Sequence, residues 1–288
     1  MKEPLTIDEL KRVAPAAFAT APAESTSSRY NMINTLDIVN EMQKAGFSIG
    51  SARQSGGFVN RDFKRHMVRF QPASLSGVNV GEVIPQLVLV NSHDGKSSYQ
   101  FSAGLFRLAC SNGLMVPQAT VAMVRVSHLS DAREVVDASF EIVKEFPKVI
   151  SEAGSFKQVA MSEQAQANFA LAASTMRYGA ELKNHPVGPK RLLRPRRIED
   201  GGSDLWSVFN RVQENIIKGG FRDLTRPRWT FDNEGRRHTA QRSVRALNSI
   251  TEDSRINKGL WDLSRRVRDG LNIEALPQEE LVAIGLSY

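Results

Sequence analysis

The sequence predicts an α+β fold: an antiparallel sheet of three to five strands backed by helices, with a basic helical extension at its C-terminal end. Three observations predict it. A β-rich stretch punctuated by turn residues occupies the middle of the chain, segments of helical period flank it, and positive charge gathers in the last third.

The sheet is read from residues 83–128. EVIPQLVLVNS is dense in β-branched and aliphatic residues, HDGK supplies an Asp-Gly turn, and SYQFSAGLFRLACSNGLMV follows as a second strand. That pattern is a hairpin. Gly104 is expected to mark a bulge or kink, because the apolar positions change parity across it from Phe101 and Ala103 to Phe106 and Leu108. After the Ser111-Asn112-Gly113 turn, ATVAMVRVSH reads as a third strand of a meander. Upstream, FSIGSARQS and the latter half of RDFKRHMVRF are further strand candidates.

The helices follow from spacing and caps. Leu36, Val39 and Met42 mark one face of a helix that stops at Gly46; Asp131 and Glu134 fit a capping pair ahead of Val135, Val136, Phe140 and Val143, with Pro147 ending or kinking that run. A helix from Ser162 carries Ala165, Phe169, Ala172 and Met176 on one side. Two more lie beyond a Pro- and Gly-punctuated basic stretch at 185–203: DLWSVFNRVQENIIKGG and TEDSRINKGLWDLSRRVRDG. These elements divide the chain into an N-terminal helix and arm over 1–28, an α+β core over 29–182, and a basic helical region over 183–288. Within the first, residues 13–28 are rich in Ala, Pro, Ser and Thr without a period and read as a mobile arm.

Composition narrows the class. With 41% hydrophobic and 24% charged residues the 288-residue chain can bury a core without a staple, and the single cysteine, Cys110, leaves no internal disulfide or cysteine-cluster metal site. No apolar run approaches the roughly 20 residues of a membrane helix, and the first residues do not read as a signal peptide. A soluble protein of the reducing cytoplasm is expected. The net charge of +7 is unevenly placed: residues 183–268 hold 20 Lys or Arg against 10 Asp or Glu. Such a segment suits a phosphate polymer, since each cation that displaces a counterion adds salt-dependent affinity; it also suits a merely solvated basic face.

Two groups of basic residues are the candidates. Lys64, Arg65 and Arg69 on one strand, with Arg107 and Arg125 on the next two, could line a groove in which Phe63, Phe70 and Tyr99 offer stacking faces; equally, Arg107 and Arg125 could be paired internally with carboxylates. The second group is Arg194, Arg196, Arg197, Arg211, Lys218, Arg236 and Arg237, with Arg242 and Arg245 adding charge. The helix from Asp204 turns Asn210, Arg211, Gln213, Glu214 and Asn215 away from its apolar stripe, as a phosphate-reading helix or an ordinary solvated one would. For catalysis the chain offers little. His93-Asp94 could act as a metal or base pair, but the five histidines have no metal-ligand spacing, and phosphate-loop, nucleophile-elbow and dinucleotide signatures are absent.

Three stretches are specific enough to carry a resemblance: NSHDGKSSYQFSAGLFRLACSNGLMV, RHMVRF, and DLWSVFNRVQENIIKGG followed by GRR. From about Arg29 to about Arg268 the chain resembles the phage/plasmid-like proteins that carry the DUF932 domain of unknown function. The resemblance implies a mobile-element setting and no particular reaction. The element order is also similar, at the level of fold, to phage single-strand annealing proteins of the RecT and Erf kind, which implies a large homo-oligomer. The expected function is binding of DNA, single strands in preference, for recombination, annealing or protection of a mobile element, with no cofactor and no bound metal. The alternatives are an anti-defence protein that meets a host protein complex, and a metal-dependent nuclease using His93 and Asp94.

Overall fold

A computed structural model describes residues 3–28, 30, 32–56, 61–72, 83–95, 99–107, 113–115, 124–126, 132–226, 229–239 and 242–288. They form two compact units: Met1–Ser151 with Asn248–Ile250, and Glu152–Leu247 with Thr251–Tyr288. The boundary expected at 182/183 therefore falls inside the second unit. Cys110, His128 and Asp131 lie outside the described residues.

The first unit is built on an antiparallel sheet. Its four long strands are β1 (Phe47–Gln54), β2 (His66–Pro72), β3 (Val83–Asn91) and β4 (Tyr99–Arg107), in that spatial order. Two three-residue strands, β5 (Gly113–Met115) and β6 (Val124–Val126), both pair with β4, so the third strand of the expected meander is described only over its last part. Helices α2 (Thr35–Lys44) and α3 (Ala132–Lys144) supply the helical layer, α2 capped by the Asn34 side chain. Ser139 of α3 donates to the Met42 sulfur of α2, and the Phe140 ring lies 6.2 Å from that of Phe47 in β1. The face of the sheet that carries His66, Val68, Phe70, Leu87, Leu89 and Phe101 is buried; so is the opposite one, where Met67, Val88 and Val90 meet Ile250.

Burial of both faces explains one misreading. The register between β3 and β4 runs unbroken from Val83↔Arg107 to Val90↔Gln100, through Gln86↔Gly104, so there is no bulge at Gly104. The irregularity sits in β1 instead, between Ile49 and Ser51, where a Cβ on Gly50 would come within 2.9 Å of the Gln86 amide. Apolar residues at either parity suit a sheet covered on both sides, and their change of parity is no sign of a bulge.

The segment read as a mobile arm is packed. Helix α1 (Ile7–Val13), closed by a Thr6/Glu9 capping box, leads into a short 3-10 turn at Pro15–Phe18. Ala14, Ala16 and Ala17 are fully buried, the Ala16 amide donates to Gln54 Oε1, and the Ala23 amide donates to the His93 carbonyl. Alanine has almost no side-chain entropy to lose on burial, so a run of them docks closely without apolar periodicity.

The second unit is helical. It takes in the end of α4 (Phe146–Phe156), then α5 (Glu163–Tyr178), the short α6 (Pro189–Leu192), α7 (Leu205–Lys218), α8 (Ile250–Arg268) from Thr251 onward, and α9 (Gln278–Leu286), with one small two-stranded ribbon. Ser162 and Asp204 cap α5 and α7 at the positions the sequence indicates. An aromatic cluster of Phe156, Trp206, Phe209 and Trp261 forms its core, with ring centroids 5.0 to 6.4 Å apart. Helix α9 approaches α5 so closely that a Cβ on Gly285 would lie 2.5 Å from the Ala172 carbonyl oxygen. Among the described residues no helix is long and apolar enough to cross a membrane.

Candidate nucleic-acid interface

Helix α7 was expected to show one polar face to solvent or phosphate. It does neither, because Asn210, Arg211, Gln213, Glu214 and Asn215 are as buried as the apolar stripe behind them. A polar group in such a place must be bonded, and each of these is. The Arg211 guanidinium donates to the Asp200 and Gly202 carbonyls, both at 2.7 Å, and to Gln166 Oε1 at 3.0 Å. Asn215 donates to the Leu192 and Arg194 carbonyls and accepts from Arg196 Nε at 2.6 Å. Gln213 bonds Asn257 of α8, and Asn210 turns back on the Trp206 carbonyl. Glu214 accepts a forked pair of bonds from Arg197, at 2.6 and 3.0 Å, and a third from Lys218 at 2.7 Å; Arg197 also holds Asp200 at 2.7 Å.

Four of the seven C-terminal candidates are thus engaged in bonds within the protein. Arg197 and Lys218 neutralise Glu214 and Asp200, Arg211 stitches the loop ahead of α7, and Arg196 holds Asn215 and the Gly219 carbonyl. They order the basic stretch at 185–203; Arg197, Arg211 and Lys218 are buried or half-buried, whereas Arg196 is bonded at its head and still exposed. Burial pulls the Arg211 pKa below its ordinary value, while the Asp200 and Asp204 carboxylates oppose that shift. Farther along, Glu152 plays the same part for α8, pairing with Arg265 and Arg268 at 2.9 Å each and accepting from the Trp261 indole.

The remaining arginines belong to a different structure. At Gly219 and Gly220, with φ of +60° and +81°, the chain leaves α7 and enters a β arm. Residues 220–223 pair antiparallel with 242–244, through Gly220 N to Val244 O, Val244 N to Phe221 O and Asp223 N to Arg242 O. Beyond them strands β7 (Trp229–Phe231) and β8 (Arg237–Thr239) form a hairpin in the register Trp229↔Thr239, Phe231↔Arg237. Its turn is tied by Asp232, whose Oδ1 accepts from the amides of Glu234 and Arg236 and whose Oδ2 lies 2.8 Å from His238 Nε2. Those bonds, the His238 contact first, hold the Asp232 carboxyl below the usual carboxylate range.

Internal arginines clamp the base of this arm. Arg177 donates to the Ile216 and Arg245 carbonyls, Arg196 to the Gly219 carbonyl, and Arg191 to that of Arg222. The arm itself displays Arg226, Arg236, Arg237, Arg242 and Arg245, and Arg194 is exposed on the loop that Arg196 fastens to the arm's base. Trp229 and Phe231 are exposed there too, at 37% and 67%. Sequence reasoning counted the arginines and missed these two rings. The signal was present in WTFDNEGRRHT, an alternating strand followed by a turn ending in glycine.

Among the described side chains, the sheet candidates form no open groove. Arg69 is buried in β2, Lys64 and Arg65 are half-buried, and Lys64 Nζ donates to the Gly56 carbonyl at 2.9 Å. Phe70 is core, 6.5 Å from Phe101, and Phe63 is half-buried. For Tyr99, Arg107 and Arg125 the backbone alone gives a position, Arg107 opposite Val83 and Arg125 opposite Gln100. His93, the proposed metal or base residue, is fully buried with His66, Thr35 and Asn91. The Lys64 carbonyl can only accept, so His66 bears its proton on Nδ1 and takes the Thr35 hydroxyl proton at Nε2, 2.9 Å away. Thr35 Oγ1 then accepts from Asn91 Nδ2 at 3.1 Å and from His93 Nε2 at 3.4 Å. This network pins the first turn of α2 to β2 and β3. Burial lowers the His66 pKa to about 4.

Comparison with known proteins settles the family. The profile described as "Domain of unknown function (DUF932)" matches residues 22–261, across both units. The chain belongs to the DUF932 family. It is 35% identical over 264 residues to the UPF0380 protein YafZ and 34% identical over 261 residues to the UPF0380 protein YfjQ, both of Escherichia coli strain K12. Each match covers 90% of this chain and 89% of the relative. No solved structure matches.

Proposed function

We propose that this DUF932 protein binds nucleic acid through the arm at residues 220–245, single-stranded DNA in preference, in recombination, annealing or protection of the DNA of a mobile element. One observation carries the reading: Arg194, Arg226, Arg236, Arg237, Arg242 and Arg245 are exposed, while the other C-terminal candidates are spent on internal bonds. The acids of the arm offset them little. Asp223 accepts from Thr225, Asp232 closes the turn, and among the described residues only Glu234 approaches an arginine of the arm, 3.9 Å from Arg236. A protruding ribbon of arginines on a clamped base follows the contour of a polyanion and makes ion pairs that salt competes away.

The test is a gel-shift titration of single-stranded DNA, duplex DNA and RNA at two salt concentrations. If all six arginines contact phosphates, log affinity falls with log salt at a slope of about −4 on single strands, or roughly two orders of magnitude between about 50 and 200 mM. Binding that ignores salt, or no shift with any of the three, sinks the proposal. Light scattering on the same samples reads the homo-oligomer expected of an annealing protein.

A further inference from the structure

We propose that the face of the β7–β8 hairpin bearing Trp229, Phe231 and Arg237 is a stacking platform for unpaired bases. The inference rests on the nucleic-acid reading above and names the contact that would make it selective for single strands.

Residues two apart on a strand share a face, so Trp229 and Phe231 project together, and the cross-strand register puts Arg237 on that face opposite Phe231. Both rings are exposed, whereas the other two tryptophans, Trp206 and Trp261, are 5% and 0% exposed. Neither ring belongs to the aromatic cluster of Phe156, Trp206, Phe209 and Trp261. The Arg237 guanidinium lies over the Trp229 ring, 4.3 Å from its centroid, so this ring already takes a flat, electron-poor group as a stacking partner. Spacing favours a base. Side chains at i and i+2 stand about 6.6 Å apart along a strand, close to twice the roughly 3.4 Å rise of stacked bases. One base fits between the two rings and a neighbour can cover an outer face, with Arg236 and Arg237 beside them for the phosphates. Bases in a duplex already cover one another and cannot offer both faces, so the platform selects unpaired strands.

Trp229 is its own reporter, since the two buried tryptophans give a constant background. Titrating oligothymidylate into the full chain should quench the exposed tryptophan emission and saturate where the gel shift saturates, while duplex of equal length leaves the emission unchanged. The Trp229→Phe variant should lose the quench and keep its affinity within about twofold, because a ring remains. Phe231→Ala should weaken single-strand binding roughly tenfold and leave duplex binding as it was; circular dichroism verifies its fold. A gel shift without quenching, equal quenching by duplex, or undiminished affinity in Phe231→Ala overturns the platform and leaves phosphate binding standing. A blue shift that grows with protein concentration before any oligonucleotide is added also overturns it, because a second copy then covers the face. No binding in either assay removes both readings.

Discussion

Arg197 and Arg237 are the same residue type in the same basic third of the chain, and the fold uses them in opposite ways. Arg197 is forked onto a buried glutamate and holds an aspartate as well, so its charge is cancelled where it stands. Arg237 lies across an indole on an exposed hairpin whose nearest carboxylates close its turn or stand at the tip. The surplus counted along the sequence is a sum of these two populations. What separates them is the backbone each serves: arginines beside α7 satisfy carbonyls and carboxylates that folding strips of water, whereas those of the arm lie on a ribbon with little beneath it to satisfy.

Removing a partner from the inner population should have the largest effect. Glu214→Ala removes the carboxylate that Arg197 and Lys218 share, and a loss of about 3 kcal/mol of stability is expected, at the low end of the range for broken buried pairs because both cations keep some solvent and Arg197 keeps Asp200. Urea denaturation measures it. At salt where the protein is folded, the nucleic-acid affinity of this variant should match that of the parent; a selective loss of binding would blur the division between inner and outer arginines.

Histidines repeat the contrast. His66 is buried and neutral with a pKa of about 4, whereas His238 is exposed beside Asp232 on the arm. The folded state holds the His66 proton less tightly than the unfolded state does. Its contribution is therefore complete above pH 6.5 and is lost as the pH falls toward 4, by about 3 kcal/mol in all. Denaturation midpoints followed from pH 7 to 4 should decline through that window, and His66→Gln, less stable at pH 7, should flatten the decline. An unchanged slope in the variant would assign the acid sensitivity to other groups.

The arm can also be detached from its base. Gly219 has φ of +60°, and a Cβ there would lie 2.5 Å from the Val244 carbonyl oxygen, on backbone that cannot swing aside. Gly219→Ala should cost about 2 kcal/mol and, in addition, displace the returning strand. Among these substitutions it is the one expected to lower both stability and binding. A variant that keeps full single-strand affinity would place the interface elsewhere.

These contrasts also show what a sequence reader can and cannot see. Capped helices were legible because Ser162 stands three residues and Asp204 one residue ahead of an apolar stripe, and the hairpin of β3 and β4 because Asp94-Gly95 interrupts two β-branched runs. The polar side of α7 was misread since periodicity reports only which residues avoid water, and a buried polar side whose residues are bonded internally has the same pattern as a solvated one. The alanine segment after α1 was misread for the converse reason: small residues pack without a stripe. Of the interface, Arg236 and Arg237 were named from the sequence, but what distinguishes them from Arg197 depends on Glu214 and Asp200, and one of these lies 17 residues away along the chain.

The smallest change in stability and the sharpest test of the outer population come from the arm's own charges. Arg236→Ala with Arg237→Ala removes two exposed guanidiniums, one of them seated on Trp229, from a hairpin whose turn is tied by Asp232. Denaturation should barely move, whereas the salt slope on single strands should fall by about 1.4, or about 0.7 for each lost phosphate contact. The matched change at Arg197 should do the reverse, leaving the slope alone while the fold weakens. Measured side by side, the two variants give a crossed pattern that uniform basicity cannot produce, because a merely cationic surface would lose the same increment of slope wherever a charge was removed.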